Sequence, residues 1–165
     1  MAVVAFAAAL AFWFLLQGAN RPADPYFRGP VSGFGQQAFS IESLRGERAS
    51  GNERCALLAQ TEKQLSRGLM GRRDLAGYDG MIFRFAVEAN RPFTMRETLI
   101  PLAIAWFDSG GNYVDEAEMT PCRKITCPTY SADRPFRYAL EVAGGSLTTL
   151  GVGPGAHLTL GGTCS

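Results

Sequence analysis

Hydrophobic positions along this chain fall into three regimes. From Ala2 to Leu16 every residue is apolar; from Gly18 to Gly35 glycine, proline and polar residues break any periodicity; from Phe39 onward short apolar segments alternate with turns. In Gly80–Phe85, Met81, Phe83 and Phe85 alternate with Ile82 and Arg84, the clearest strand pattern in the sequence. Leu102–Phe107 is a nearly continuous apolar run, Asp108–Asn112 a turn, and Tyr113–Glu118 a half-exposed strand, which together predict a hairpin. Phe39, Ile41 and Leu44 precede a polar turn, Arg45–Asn52, and Arg54–Ala59 follows it, as in a hairpin or near-hairpin. Tyr138–Val142 and His157–Leu160 add two more strands.

Helical signals are few. Thr61-Glu62-Lys63-Gln64 has the form of a capping box and opens a short helix expected to run to about Leu69, with Leu65, Leu69 and Met70 docking it on a sheet. Ser146–Leu150 reads as one helical turn ended by Gly151. Some seven short strands with one or two short helices predict a mainly β fold, a compact antiparallel β-sandwich or small barrel.

The two leading regimes stand apart from that domain. At roughly 1.5 Å per residue, an apolar run of about 15 residues covers about 22 Å, short of the ~30 Å hydrocarbon layer. Residues 1–17 therefore read as a signal peptide or membrane anchor, 18–35 as a flexible Pro/Gly-rich tether, and 36–165 as a single β-rich domain. No Cys follows the apolar run, which excludes a lipoprotein cleavage box, and the lack of a basic stretch ahead of Ala2 leaves open a start further upstream. The expected location is extracytoplasmic, either secreted or held at the membrane by the N-terminal segment.

Composition agrees. A length of 165 residues suits one core. Apolar residues at 47% against 19% charged exclude a disordered chain, and 19 Gly with 9 Pro fit a turn-rich β fold. A net charge of +1 lacks the basic excess that nonspecific nucleic-acid binding requires, so no nucleic-acid partner is expected. The four Cys suit an exported protein whose thiols pair. Cys122 and Cys127 sit in a short loop flanked by Pro121 and Pro128, where a local disulfide is the natural reading and a redox pair or half a zinc site the alternatives. A second bridge, Cys55 to Cys164, would staple the last strand to an early one.

Familiar catalytic patterns are missing. His157 is the single histidine and no Gly-x-Ser-x-Gly elbow accompanies it. Gly151-Val152-Gly153-Pro154-Gly155 leads into a strand and reads as a turn rather than a phosphate loop. Asp115, Glu116 and Glu118 resemble paired carboxylates, yet Glu116 and Glu118 share one face of an alternating strand and are more simply solvated. No metal site and no cofactor are expected. The richest cluster is Arg91–Leu102, which mixes aromatic, basic, acidic and hydroxyl groups between two apolar strands. Alternation puts Phe93 and Met95 underneath and Thr94 and Arg96 on the opposite face, with Glu97 where the chain turns. Arg96, Glu97 and Thr98 then form the rim of a binding surface.

Several motifs occur in an order that resembles the domain of unknown function family number 192. They are Gly68-Leu69-Met70 with Arg72, Gly80–Phe85, Phe93, Met95, Thr98–Leu102, Tyr138 with Leu140-Glu141-Val142, and Gly151–Gly155, spanning roughly Phe39 to Gly161. The resemblance implies a mainly antiparallel β domain, frequently behind an export signal, without an established activity. Where the family commonly has Phe-Trp-Met-Lys-Asn-Thr, this chain has Thr94, Arg96 and Glu97 at the Trp, Lys and Asn positions; Ala103 replaces an Asp and Ala143 an Asn. Those departures weaken the case for catalysis. The functional expectation is a non-catalytic module at the cell envelope that binds an envelope ligand or protein; the alternative is an extracytoplasmic hydrolase using Glu97 as acid or base and Arg96 as an anion anchor.

Overall fold

The structure is a computed structural model that describes residues 28–29, 31–43 and 54–164. The predicted segment 1–17, residues 18–27 and 30 of the tether, and the whole polar turn Arg45–Asn52 lie outside the described residues. Among those described, the chain forms β1 (Gly35–Glu42), β2 (Arg54–Ala59), α1 (Glu62–Arg67), β3 (Gly80–Ala89), β4 (Phe93–Thr94), β5 (Leu102–Phe107), β6 (Tyr113–Met119), β7 (Thr129–Tyr130), β8 (Phe136–Ala143) and β9 (His157–Leu160). Seven strands make one sheet in the order β6-β5-β8-β3-β2-β1-β9, and β4 pairs with β7 outside it.

The sheet curls. Asn112, ahead of β6, bridges His157 at the start of β9; Tyr113 N donates to the Ala156 carbonyl at 3.0 Å and Leu158 N to that of Gly111 at 2.8 Å. The two ends of the strand order thus meet at one corner, giving a half-barrel, the barrel-like member of the two predicted architectures. Its neighbours run antiparallel with one exception, β2 beside β3, which are parallel. The exception follows from α1 and the loop after it, which return the chain to the end of the sheet where β2 began.

Both faces are covered. Met81, Phe83, Leu102, Ile104, Trp106 and Ala139 point to one face, packed under Leu69, Tyr78, Met95, Met119 and Phe136. Ile82, Ala103, Ala105, Phe107, Leu140 and Val142 point to the other, packed with Phe39, Ile41, Leu147, Leu150 and Leu158. All six residues of β5 are buried, which explains its unbroken apolar run. The 146–151 segment is a single turn, with Leu150 N donating to Ser146 O at 3.1 Å, and its leucines fill the inside of the curl.

At α1 the capping box is formed: Gln64 N donates to Thr61 Oγ1 at 3.4 Å, and Thr61 N to Gln64 Oε1 at 3.0 Å. The helix stops at Arg67, short of the expected Leu69, because Gly68 takes φ +46°, and a Cβ there would press on the Phe83 ring at 3.2 Å. Leu65 is half-buried and Leu69 buried, so the docking residues straddle the helix end. Ahead of β1, Val31 and Phe34 pack against the core, so the last residues of the proline- and glycine-rich stretch lie on the domain.

Cys55 and Cys164 pair at a Cα separation of 5.4 Å, and Cys122 and Cys127 at 5.8 Å, both within the ~4.4–6.8 Å span of disulfides. The first ties β2, in the middle of the sheet order, to the C-terminal end across 109 residues of chain. Replacing both Cys55 and Cys164 by Ser is expected to cost about 2–5 kcal/mol in urea unfolding. A loss below about 0.5 kcal/mol would show that the bridge constrains little.

Candidate functional site

The chain between β3 and β5 crosses the outer face of the sheet, and its local geometry sorts the candidate residues. Phe93 packs edge-on against Phe83, with ring centroids 5.1 Å apart, and against Phe85 and Trp106 at 6.5 and 6.1 Å. Met95 is buried among the core side chains. Glu97 then adopts φ +58°, a left-handed conformation that a non-glycine residue keeps only when its neighbours hold it. Three backbone hydrogen bonds do so: Glu97 N to Cys122 O at 3.2 Å, Gly71 N to Glu97 O at 2.9 Å and Thr98 N to Met95 O at 3.1 Å.

That turn separates the expected site residues. Thr98, expected on a rim, is only 3% exposed and lies in the wall of a cavity, because the turn at Glu97 directs it inward. Phe93 lines the same cavity, of about 150 Å³. Arg96 and Glu97 stay exposed and border a different, shallower hollow with Arg123, Lys124 and Ile125. Met95 lines neither.

The cavity beside Thr98 contains a residue that strand patterning alone did not single out. Glu141 on β8 pairs with Met81 on β3 and Ile104 on β5, and all three point to the same covered face. Both neighbours are fully buried and Glu141 itself is 5% exposed. Burial, with no charge or hydrogen bond among the described residues to offset it, raises its carboxyl from 4.5 to about 8. At neutral pH the group is therefore a protonated acid, an O–H donor at the base of the cavity. Beside it the backbone is tight: a Cβ on Gly80 would collide with the Glu141 carbonyl oxygen, so β3 can run along β8 here only with glycine.

The apolar part of the wall is Leu65, Leu69, Met70, Phe83, Phe85, Pro92 and Phe93, and Ser66, Thr94, Arg67 and Arg91 also line the cavity. Arg91 is ion-paired with Glu62 at 2.9 Å and lies over the Phe85 ring at 5.8 Å. Arg67 lies over the Phe34 ring at 5.9 Å and has no carboxylate partner among the described residues. A cavity of mixed apolar and polar lining, with a neutral acid and a threonine in its wall, can take a small group that carries an uncharged oxygen. A buried titratable group shifted this far, set in a cleft, marks a functional-site candidate.

Other groups weighed from the sequence have structural partners. His157 Nε2 lies 2.8 Å from the Gly110 carbonyl, where the curl closes. Glu118 accepts from Gly145 N at 3.1 Å and Asp115 from Asp133 N at 3.2 Å, while Glu116 and Glu118 are exposed as expected. Partial desolvation of the otherwise exposed Glu116, then the charges of Asp115 and Glu118, raise its carboxyl above the usual range. Among the described residues no group of three or more His, Cys, Asp or Glu could hold a metal ion, and no helix is long and apolar enough to cross a membrane.

Fold and site together define a class: a half-barrel β domain with a small acid-based cavity on its outer face. The chain belongs to domain of unknown function family 192, DUF192, described as an uncharacterized ACR, whose model matches residues 46–160. Two solved structures share the fold. One, from Sinorhizobium meliloti 1021 and provisionally described as a transcription regulator, is 26% identical over 80% of this chain and 98% of its own, with a TM-score of 0.67. The other, a protein of unknown function from Novosphingobium aromaticivorans DSM 12444, is 28% identical over 86% of this chain and 94% of its own, with a TM-score of 0.66. No curated protein matches the chain.

The raised Glu141 carboxyl has a consequence for stability. Below about pH 4.5 it is protonated in both folded and unfolded chains and contributes no pH dependence. Above that the unfolded chain releases the proton while the folded one keeps it, so stability falls as pH rises, by at most about 1.4 kcal/mol per unit, and levels off above about 8. Urea unfolding between pH 5 and 9 should show Glu141→Gln gaining on the wild type by a few kcal/mol over this window. Parallel profiles for the two proteins would mean that Glu141 ionises normally.

Proposed function

We propose that this domain is a non-catalytic binding module of an exported protein, and that its ligand inserts into the cavity above Glu141. The observation that carries the reading is the Glu141 carboxyl, buried, without a protein partner among the described residues, and lining a cavity walled largely by Leu65, Leu69, Met70, Phe83, Phe85 and Phe93. A protein does not ordinarily keep such a group unpaired, since burying it costs free energy unless a partner repays it. Export is supported by the apolar run Ala2–Leu16 in the sequence and by the two cysteine pairs, which hint at an oxidising compartment.

The chamber limits the ligand. Its volume of about 150 Å³ lies below the roughly 300–1,000 Å³ of sites that enclose whole small molecules. The occupant is thus a side-chain-sized apolar end of an envelope component, with a carbonyl or hydroxyl oxygen facing Glu141 and Thr98 and any anionic part outside near Arg67. The alternative, a hydrolase built on Glu97 and Arg96, draws less support: these two border an open hollow shared with Arg123 and Lys124, while Thr98 faces the other cavity.

Isovaleramide and isoamylamine are probes of suitable size, one offering a neutral carbonyl and the other an ammonium. The amide should shift the backbone NMR signals of Gly68, Leu69 and Thr98, with an affinity that falls up to tenfold per pH unit above about 8. Glu141→Gln, which still offers an N–H donor, should bind it without that pH dependence, and Glu141→Leu should lose it. Preference for the amine, or affinity rising with pH, would mean that Glu141 acts as an anion and would overturn this ligand class.

A further inference from the structure

We infer that the Cys122–Cys127 loop, together with Arg96, is a docking surface for an anionic phospholipid membrane. Six residues of two separate segments meet here: Arg96 and Glu97 from the chain before β5, and Cys122, Arg123, Lys124 and Ile125 from the loop after β6, around a hollow of about 170 Å³. Backbone contacts fix the junction, with Arg96 bridged to Cys122 and Cys122 N donating to Met95 O at 3.2 Å. The disulfide closes the loop across five residues and Pro121 and Pro128 flank it, so its tip is held out from the domain before any partner arrives.

Charge and apolarity coincide at that tip. Arg96, Arg123 and Lys124 are exposed, and none has an ion-pair partner among the described residues, leaving three cations against the one carboxylate of Glu97. Ile125 beside them is 93% exposed, the more exposed of the two large hydrophobic side chains that stand in solvent among the described residues. Three cations hold an acidic polymer in water only weakly at physiological salt, and it would leave Ile125 wet. A lipid interface accommodates both: cations lie at the phosphate level and the aliphatic side chain enters the acyl boundary. The apolar run Ala2–Leu16 of the same chain suits residence beside a bilayer. The surface is separate from the Glu141 cavity, so the two proposals stand or fall independently.

The sequence holds only two lysines, Lys63 and Lys124, and both are exposed. That makes amine acylation of the full chain a direct footprint, with Lys63 on α1 as the internal reference. On vesicles of phosphatidylcholine with about one third phosphatidylglycerol, acylation of Lys124 relative to Lys63 should fall several-fold, and about 0.5 M salt should restore it. Phosphatidylcholine vesicles, inorganic phosphate and duplex DNA should leave the ratio unchanged. Each cation near an anionic surface contributes roughly a fivefold gain in partitioning, so Arg96→Gln with Arg123→Gln should weaken vesicle binding through this surface about 25-fold and abolish the footprint. Ile125→Ser should reduce it. No change in the ratio on anionic vesicles would overturn the inference. So would equal protection on neutral vesicles, by phosphate or by DNA, or protection that survives the double substitution.

Discussion

The position of β8 between β3 and β5, in a sheet covered on both faces, is the constraint from which the rest of this molecule follows. A central strand of such a sheet has no solvent-facing side, so alternation along Tyr138–Val142 chooses between two interiors rather than between inside and outside. Leu140 and Val142 fill the curl. Glu141 necessarily enters the other interior, between Met81 and Ile104, where its carboxyl keeps its proton. The cavity above it exists because α1 stops at Gly68 and the chain after β3 is turned at Glu97, leaving Phe93 and Thr98 as walls.

Much of the fold was legible in the sequence because local chemistry and tertiary context agree. The alternation of Gly80–Phe85, the unbroken run of Leu102–Phe107, the turn at Asp108–Asn112 and the Thr61 capping box each describe an element that exists. What periodicity could not supply was strand order. Nothing local in Arg54–Ala59 or Gly80–Phe85 says that they run parallel, which depends on where the intervening helix and loop lead.

The same gap explains the candidate site. Phe93 and Thr98 belong to a segment of mixed chemistry whose sequence groups them at one surface with Arg96 and Glu97, and only the left-handed turn at Glu97 divides that group. Glu141 was visible as a strand residue and as part of the family motif. Its burial was not, since a lone Glu in a strand ordinarily faces water. Its burial follows from strand order: β8 lies between β3 and β5, whose residues opposite Glu141, Met81 and Ile104, are both buried, and that order is not visible in the local pattern. The basic loop shows the converse: its prolines and cysteines mark a closed loop in the sequence, while its proximity to Arg96 depends on pairing across the fold.

The central claim is that a buried, neutral carboxyl lies at the base of the cavity, ready to donate a hydrogen bond. A titration of side-chain carboxyl signals by 13C NMR, with Glu141 assigned from the Glu141→Gln spectrum, tests it most directly. The account predicts that one glutamate signal, absent in the variant, stays at the position of a protonated acid through neutral pH and titrates at about 8. A Glu141 signal that moves to the carboxylate position with a midpoint near the ordinary 4.5 would contradict it.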